Sequence, residues 1–173
     1  MFCTKRKAVI LVMYKIDIID QKIVDLLIED GRMQAAEIAR RLGDVSERVV
    51  RYRIDSMIEN EVIRVSAIVN PKRVGMNIVA DVWLEVESDS IMDVARKVAE
   101  FENISYVACS IGDTDISLQV MGRDTAEVYR FVTEELGKVR GVRKVTTAIL
   151  PLVIKDVFHW RIPWLLEDVQ GLE

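Results

Sequence analysis

The sequence predicts an α+β protein in two parts, a helical head followed by a β-α-β-β-α-β layer. Three observations carry this. Residues 31–63, GRMQAAEIARRLGDVSERVVRYRIDSMIENEVI, read as two short helices joined by a tight turn. From residue 77 the apolar spacing switches repeatedly between a period of two and a helical period. Half of the 173 residues are apolar and 30% are charged, which supports packed cores and excludes a disordered chain or a coiled coil.

The head begins with a helix over 17–30. Asp17 is a good N-cap, Gly31 a good residue just past the end, and Ile19, Ile23, Leu26 and Leu27 fall on one face. Asp20, Lys22, Asp25 and Glu29 are assigned to the other side. A second helix covers 34–42, with Ile38, Ala39 and Leu42 inward, and Gly43-Asp44 make the turn. Ser46 caps a third helix that runs to about Glu59 and turns Val50, Ile54, Met57 and Ile58 inward. Asn60 tolerates the left-handed conformation and can end it. Residues 62–70, VIRVSAIVN, alternate and are β-branched, so they read as a strand broken by Asn70-Pro71.

In the second part, 78–86 is a strand, 90–101 a helix capped by Ser90, and 104–111 a strand. The turn Gly112-Asp113-Thr114 leads into a return strand over 115–121. A helix over 124–137, capped by Asp124, precedes a long strand over 142–154, in which Pro151 implies an edge or a bulge. This order predicts a ferredoxin-like split βαβ: an antiparallel sheet with both helices on one face. The other face is left open, and Trp83 on it is expected at a subunit contact. The domains expected are an extension at 1–14, a helix-turn-helix unit at 15–62, a linker strand at 63–76, the βαββαβ unit at 77–155 and an extension at 156–173.

Net charge is −4, which taken alone argues against a nucleic-acid partner. The distribution reverses that reading. Residues 32–53 hold six Arg against Glu37, Asp44 and Glu47, whereas residues 71–173 hold 12 basic and 17 acidic side chains. Charges act on DNA within about 8–10 Å in physiological salt, so the local patch outweighs the total. On the third helix Arg48, Arg51, Tyr52 and Asp55 point outward; the DNA-binding candidates are Ser46, Glu47, Arg48, Arg51 and Tyr52, with Ser46 and Arg48 at the end that reads bases and Arg51 and Tyr52 reading bases or holding phosphates. Arg32, Arg40 and Arg41 are candidates for phosphate contact, and Arg53, on the flank of the buried stripe, for a structural ion pair.

Cys3 and Cys109 lack metal-type spacing, so a reduced, cytoplasmic setting is expected, with Cys109 a small core residue and no metal site. In residues 1–13, KRK followed by AVILVM imitates a signal peptide, but the apolar run is short and no small-residue cleavage site follows. The segment reads as a disordered or weakly docked extension, or as a mis-assigned start with Met13 the true one. No stretch approaches the roughly 20 apolar residues of a membrane span. Phe158, Trp160, Ile162 and Trp164 are expected to pack on the protein body or on a neighbouring subunit.

In order and at matching spacing, IDIIDQKIVDLLIEDGR, AAEIARRLG, VSERVVRYRIDSMIENEVI, VNPKRVG and GDTD at 112–115 resemble the leucine-responsive regulatory protein and asparagine-regulator (Lrp/AsnC, feast/famine) family. The resemblance covers roughly residues 15–155. It departs at Glu61, where the family usually has Gly; Asn60 is expected to take over that role. The resemblance implies a winged-type helix-turn-helix domain and a RAM/ACT-like effector-binding domain. It also implies dimers that assemble into octamers or larger discs, double-stranded DNA as a partner and a nucleoid-associated location. No cofactor is implied beyond a small-molecule effector, an amino acid or similar metabolite. The effector residues carried over are Gly112, Asp113, Thr114 and Asp115, with Ser110 and Ile111 leading in and Thr146 and Thr147 as further candidates. Gly112 would let a carboxylate approach backbone N–H groups, and Asp115 would hold an α-ammonium. For the two aspartates the competing reading is an ordinary hairpin turn.

Two other functions compete. One is a siroheme decarboxylase-like subunit, which resembles this family in outline and carries a histidine-aromatic-x-arginine pattern on the strand before the hairpin. That strand here reads ISYVACSIG, without His or Arg, and residues 1–158 hold no His, so no catalytic residues are assigned. The other is an effector-binding assembly protein whose DNA binding is vestigial, against which the intact Arg48–Arg51 face argues.

Overall fold

The computed structural model describes residues 14–163. Met13, Cys3 and the rest of the N-terminal segment, and Trp164, lie outside the described residues. The chain divides into two compact units, one formed by residues up to Ile68 together with the segment from Lys155, the other by Val69–Ile154.

The first unit contains α1 (Ile18–Glu29), α2 (Ala35–Leu42) and α3 (Glu47–Glu59). Asp17 starts α1 with a reciprocal capping box. Its Oδ1 accepts from the amides of Ile19 and Asp20 at 2.9 and 3.0 Å, while Asp20 Oδ2 accepts from the Asp17 amide at 3.1 Å. Asp20, expected on the polar side, is therefore buried. Gly43 ends α2 at φ +81°, a backbone position that suits glycine. The Ser46 hydroxyl accepts from the Val49 amide at 3.4 Å and starts α3. Ile23, Val24, Ile38, Val50 and Met57 form the core. Ile58, expected inward, is exposed, although its neighbour Met57 is fully buried.

Two expectations fail at the end of α3. Asn60 ends α3 as expected, but not in the left-handed conformation (φ −90°), which falls to Glu61 at φ +57°. That bend returns the Val62 and Ile63 amides to the Met57 carbonyl, at 2.8 and 3.3 Å. The stretch after it, expected as a strand, runs without strand pairing to Asn70. Its alternating pattern makes an extended chain, but a strand needs a hydrogen-bonding neighbour and none lies among the described residues. No wing hairpin follows α3 there.

The second unit is the expected ferredoxin-like layer. β1 (Ile78–Val86), β2 (Ile104–Cys109), β3 (Ile116–Gly122) and β4 (Val142–Leu150) form an antiparallel sheet in the order β2-β3-β1-β4. Strict alternation puts Ala80, Val82, Leu84 and Val86 of β1 and Ile116, Leu118 and Val120 of β3 on one face. They are buried with Val94, Ala95 and Val98 of α4 (Ile91–Val98), Val128 of α5 (Thr125–Arg130), and Phe131 and Leu136 beyond it. Phe131 meets Phe101 edge-on, with ring centroids 5.2 Å apart. The helix expected over 124–137 is α-helical only to Arg130, then π-helical over Phe131–Glu135 and 3-10 over Leu136–Lys138. β4 is an edge strand and stops one residue short of Pro151, which cannot donate to the ladder. Cys109, expected in the core, is exposed at the end of β2, its Sγ 4.0 Å from the Met92 sulfur.

Candidate functional site

On α3, Ser46, Glu47, Arg48, Arg51 and Tyr52 are all exposed. Helical spacing groups Arg48, Arg51 and Tyr52 on the face opposite Val50 and Met57. Arg48 makes no ion pair among the described residues. Arg51 instead donates to Glu47 Oε1 at 2.6 Å, one turn earlier. Glu47 thus fixes where the Arg51 guanidinium sits on the exposed side of α3.

Behind this face, Arg53 is the structural arginine expected from its flank position. Its guanidinium donates to Asp17 Oδ2 at 2.7 Å and to the buried Asp20 Oδ1 at 2.8 Å. The Tyr14 hydroxyl donates to Asp20 Oδ2 at 3.4 Å. Burial opposes charge on Asp17, but hydrogen bonds from the Asp20 amide, Arg53 and the Ile19 amide outweigh it and hold the carboxyl below its usual range. For Tyr14, burial first and then the Asp20 charge push the hydroxyl pKa upward. The network pins α3 to α1. Sequence reasoning missed Asp20's part in it, although an aspartate three residues after an N-cap aspartate is the signal for a capping box.

The phosphate candidates differ among themselves. Arg40 and Arg41 fork onto Glu37 at 2.6 and 3.1 Å, and Arg41 also reaches Glu29 of α1 at 3.2 Å. Hydrogen bonds from Arg40 first and Arg41 second bring the Glu37 carboxyl down to about 2. Arg32, almost fully exposed, lies 3.9 Å from Asp30.

In the second unit the structure brings Ser110, Thr114 and Asp115 together. The Ser110 hydroxyl donates to the Thr114 carbonyl at 2.7 Å, and the Ser110 amide to the Asp115 carbonyl at 2.9 Å. The Asp115 amide donates to the Leu84 carbonyl at 2.9 Å, and its Oδ2 accepts from the Val86 amide at 2.7 Å. Asp115 therefore ties the hairpin to the end of β1, a structural duty beyond the expected ligand contact. Its second carboxylate oxygen makes no hydrogen bond among the described residues. Ile111, Gly112 and Asp113 form the exposed tip, with Gly112 at φ +152°. Thr146 and Thr147 stand apart, opposite Trp83 and Val82 on β4, and alternation sends them to opposite faces. The two recesses on the helix side of this unit, of about 570 and 750 Å³, are lined by none of these residues.

A three-helix head with a basic recognition face, joined to a ferredoxin-like sheet domain, defines a class of DNA-binding transcription regulator. The AsnC-type helix-turn-helix domain model matches residues 16–58, and the Lrp/AsnC ligand binding domain model matches residues 79–156. A helix-turn-helix-type transcriptional regulator of Pyrococcus furiosus is 38% identical over 81% of this chain and 95% of its own. The regulator LrpA of Pyrococcus horikoshii is 33% identical over 78% and 96%. The chain belongs to the Lrp/AsnC family. Among solved structures, AsnC of E. coli matches the fold with a TM-score of 0.76 at 20% identity, covering 84% of this chain and 99% of its own. A Neisseria meningitidis regulator in complex with L-Met matches with a TM-score of 0.76 at 23% identity, covering 82% and 94%. Like its relatives, the chain is a helix-turn-helix transcription regulator, with a ligand-binding domain for a small effector. No helix among the described residues is long and apolar enough to cross a membrane.

Proposed function

We propose that α3 reads DNA through Ser46, Arg48, Arg51 and Tyr52, with Glu47 aiming Arg51, while Arg32, Arg40 and Arg41 hold phosphates. The observation that carries this reading is the exposed Arg48, free of ion pairs, in the first turn of a capped helix. Dimers place two such helices in successive major grooves about 34 Å apart on a pseudo-palindromic site. Self-association is supported by the open sheet face, where Trp83, Tyr106 and Met121 stay partly exposed around the Gln119–Asp81 hydrogen bond of 3.1 Å. The protein acts in the cytoplasm, at the nucleoid, with no cofactor and no catalytic step.

Replacing Arg48 and Arg51 with Ala is expected to weaken binding to the upstream fragment about 100-fold, at about 1–3 kcal/mol for each base-reading side chain. The oligomer stays intact by light scattering. Footprints identical to the wild type would refute the assigned face.

The effector is an amino acid or similar metabolite, held at the Ser110–Asp115 turn between dimers. The Gly112 tip admits a carboxylate to the backbone, and the spare Asp115 oxygen takes an ammonium. A relative solved with L-Met supports the ligand class. Asp115→Asn keeps an acceptor for the Val86 amide but removes the charge. Calorimetry is expected to show about tenfold weaker effector binding, from a charge-assisted bond worth roughly 1.5–3 kcal/mol, with an unchanged melting curve. Equal affinity would clear the turn of that role.

A further inference from the structure

We infer that the segment after the sheet domain, through Arg161 and Ile162, latches onto α1 and gives the head a second tether beside the linker that follows α3. From residue 157 onward the segment lies beyond the ligand-binding domain match, which ends at residue 156, and outside the helix-turn-helix match over 16–58. The chain crosses back from the second unit to the first at Lys155. Asp156 Oδ1 then accepts from the Phe158 amide at 3.0 Å and stands 2.6 Å from His159 Nδ1, which turns the chain.

Three contacts of different chemistry follow. Arg161 pairs with Asp25 Oδ1 at 3.2 Å. Gln21 Nε2 donates to the Ile162 carbonyl at 2.9 Å. The Ile162 side chain packs on the head core. Gln21 and Asp25 lie one turn apart on α1 and make one receptor. Gln21 is only 2% exposed, and its Oε1 already lacks a partner. Without the segment its amide nitrogen would lose its partner as well, which disfavours leaving this surface uncovered. Phe158 and Trp160, expected to pack, stay half exposed, so Ile162 is the anchor.

The latch leaves the reading face alone, since Arg48, Arg51 and Tyr52 remain exposed. It acts on the helix to which Arg53 pins α3. A head held by two segments samples fewer orientations than one held by a single linker, which raises the effective concentration of the second head at a correctly spaced half-site. The expected function is therefore discrimination of half-site spacing. This rests on the reading of α3 as the DNA reader.

The test uses the full chain with Arg161→Asp, Ile162→Ser and the swap Asp25→Arg/Arg161→Asp. Amide exchange over 18–29 is expected to quicken about tenfold in both single variants, with 78–86 unchanged and the swap restored toward wild type. The ratio of affinities for DNA with half-sites in phase and half a turn out of phase is expected to fall at least about threefold in the single variants and to recover in the swap. Unchanged exchange would overturn the latch. Faster exchange with an unchanged spacing ratio would overturn the tether, leaving only a packing contact. A wild type without any spacing preference would count against the reading of α3, and the exchange arm would still decide the docking.

Discussion

The two units are stabilised in different ways. The sheet domain buries thirteen apolar side chains between one sheet face and its helices, and the only buried polar side chains among the described residues, Asp20 and Gln21, lie in the head. The head buries five apolar side chains and fastens its recognition helix with the Asp17–Asp20–Arg53 network instead. Small cores bury too little surface to set helix orientation by packing alone. An ion pair that specifies one arrangement is a fitting device for a helix that must meet a groove at a fixed angle.

That contrast predicts where each unit breaks. Leu84→Ala, at a fully buried site in the sheet core, is expected to cost about 3 kcal/mol and to lower the melting temperature of the second unit while sparing the head amides in hydrogen exchange. Arg53→Ala is expected to cost about 2–3 kcal/mol in the head, because it strands the buried Asp20 carboxylate, and to do so with the sheet amides unaffected. A larger loss from Arg53→Ala than from Leu84→Ala would reverse the ranking of packing over polar ties.

The polar tie also has a pH signature. Asp17 is depressed in the folded state below its ordinary 3.8, so its stabilisation is complete above that value and is lost as pH falls through the lower folded value. Acid unfolding of the head as pH falls below 3.8 is expected to be shallower in Arg53→Ala than in the wild type, since the variant has already lost one of the hydrogen bonds that depress Asp17. Parallel curves would deny the network this role. The smallest effect is a gain. Glu61→Gly removes a left-handed strain of about 1–2 kcal/mol and returns part of it as chain entropy, for a net stabilisation of about 0.5–1 kcal/mol in thermal melts.

Much of the protein was legible in the sequence. Residue type and position mark Asp17, Ser46, Ser90 and Asp124 as caps, and all but Ser90 accept a hydrogen bond from the first turn of their helix; the Ser90 hydroxyl donates to Asp89 Oδ1 at 2.9 Å instead. The inward residues of β1 and β3 followed from alternation, because a strand with one buried face admits only one register. The outward residues of α3 followed from helical spacing. Misassignments came where partners far along the chain decide. Asp20 looked like a surface carboxylate until Arg53, 33 residues away, gave it a reason to be buried. The segment after α3 has strand chemistry without a strand's neighbour. Cys109 was assigned by residue type to a core that its place at the end of β2 does not reach.

The sequence by itself determined the three helices of the head, the four strands of the sheet, their order and the basic face, because these depend on spacings of two to four residues and on local backbone preference. Only the tertiary structure decided that Glu61 bends the chain, that Asp115 ties the hairpin to β1, and that Gln21 and Asp25 receive the C-terminal segment. Each of these depends on what surrounds a residue in space, which neither its own chemistry nor its near neighbours specify.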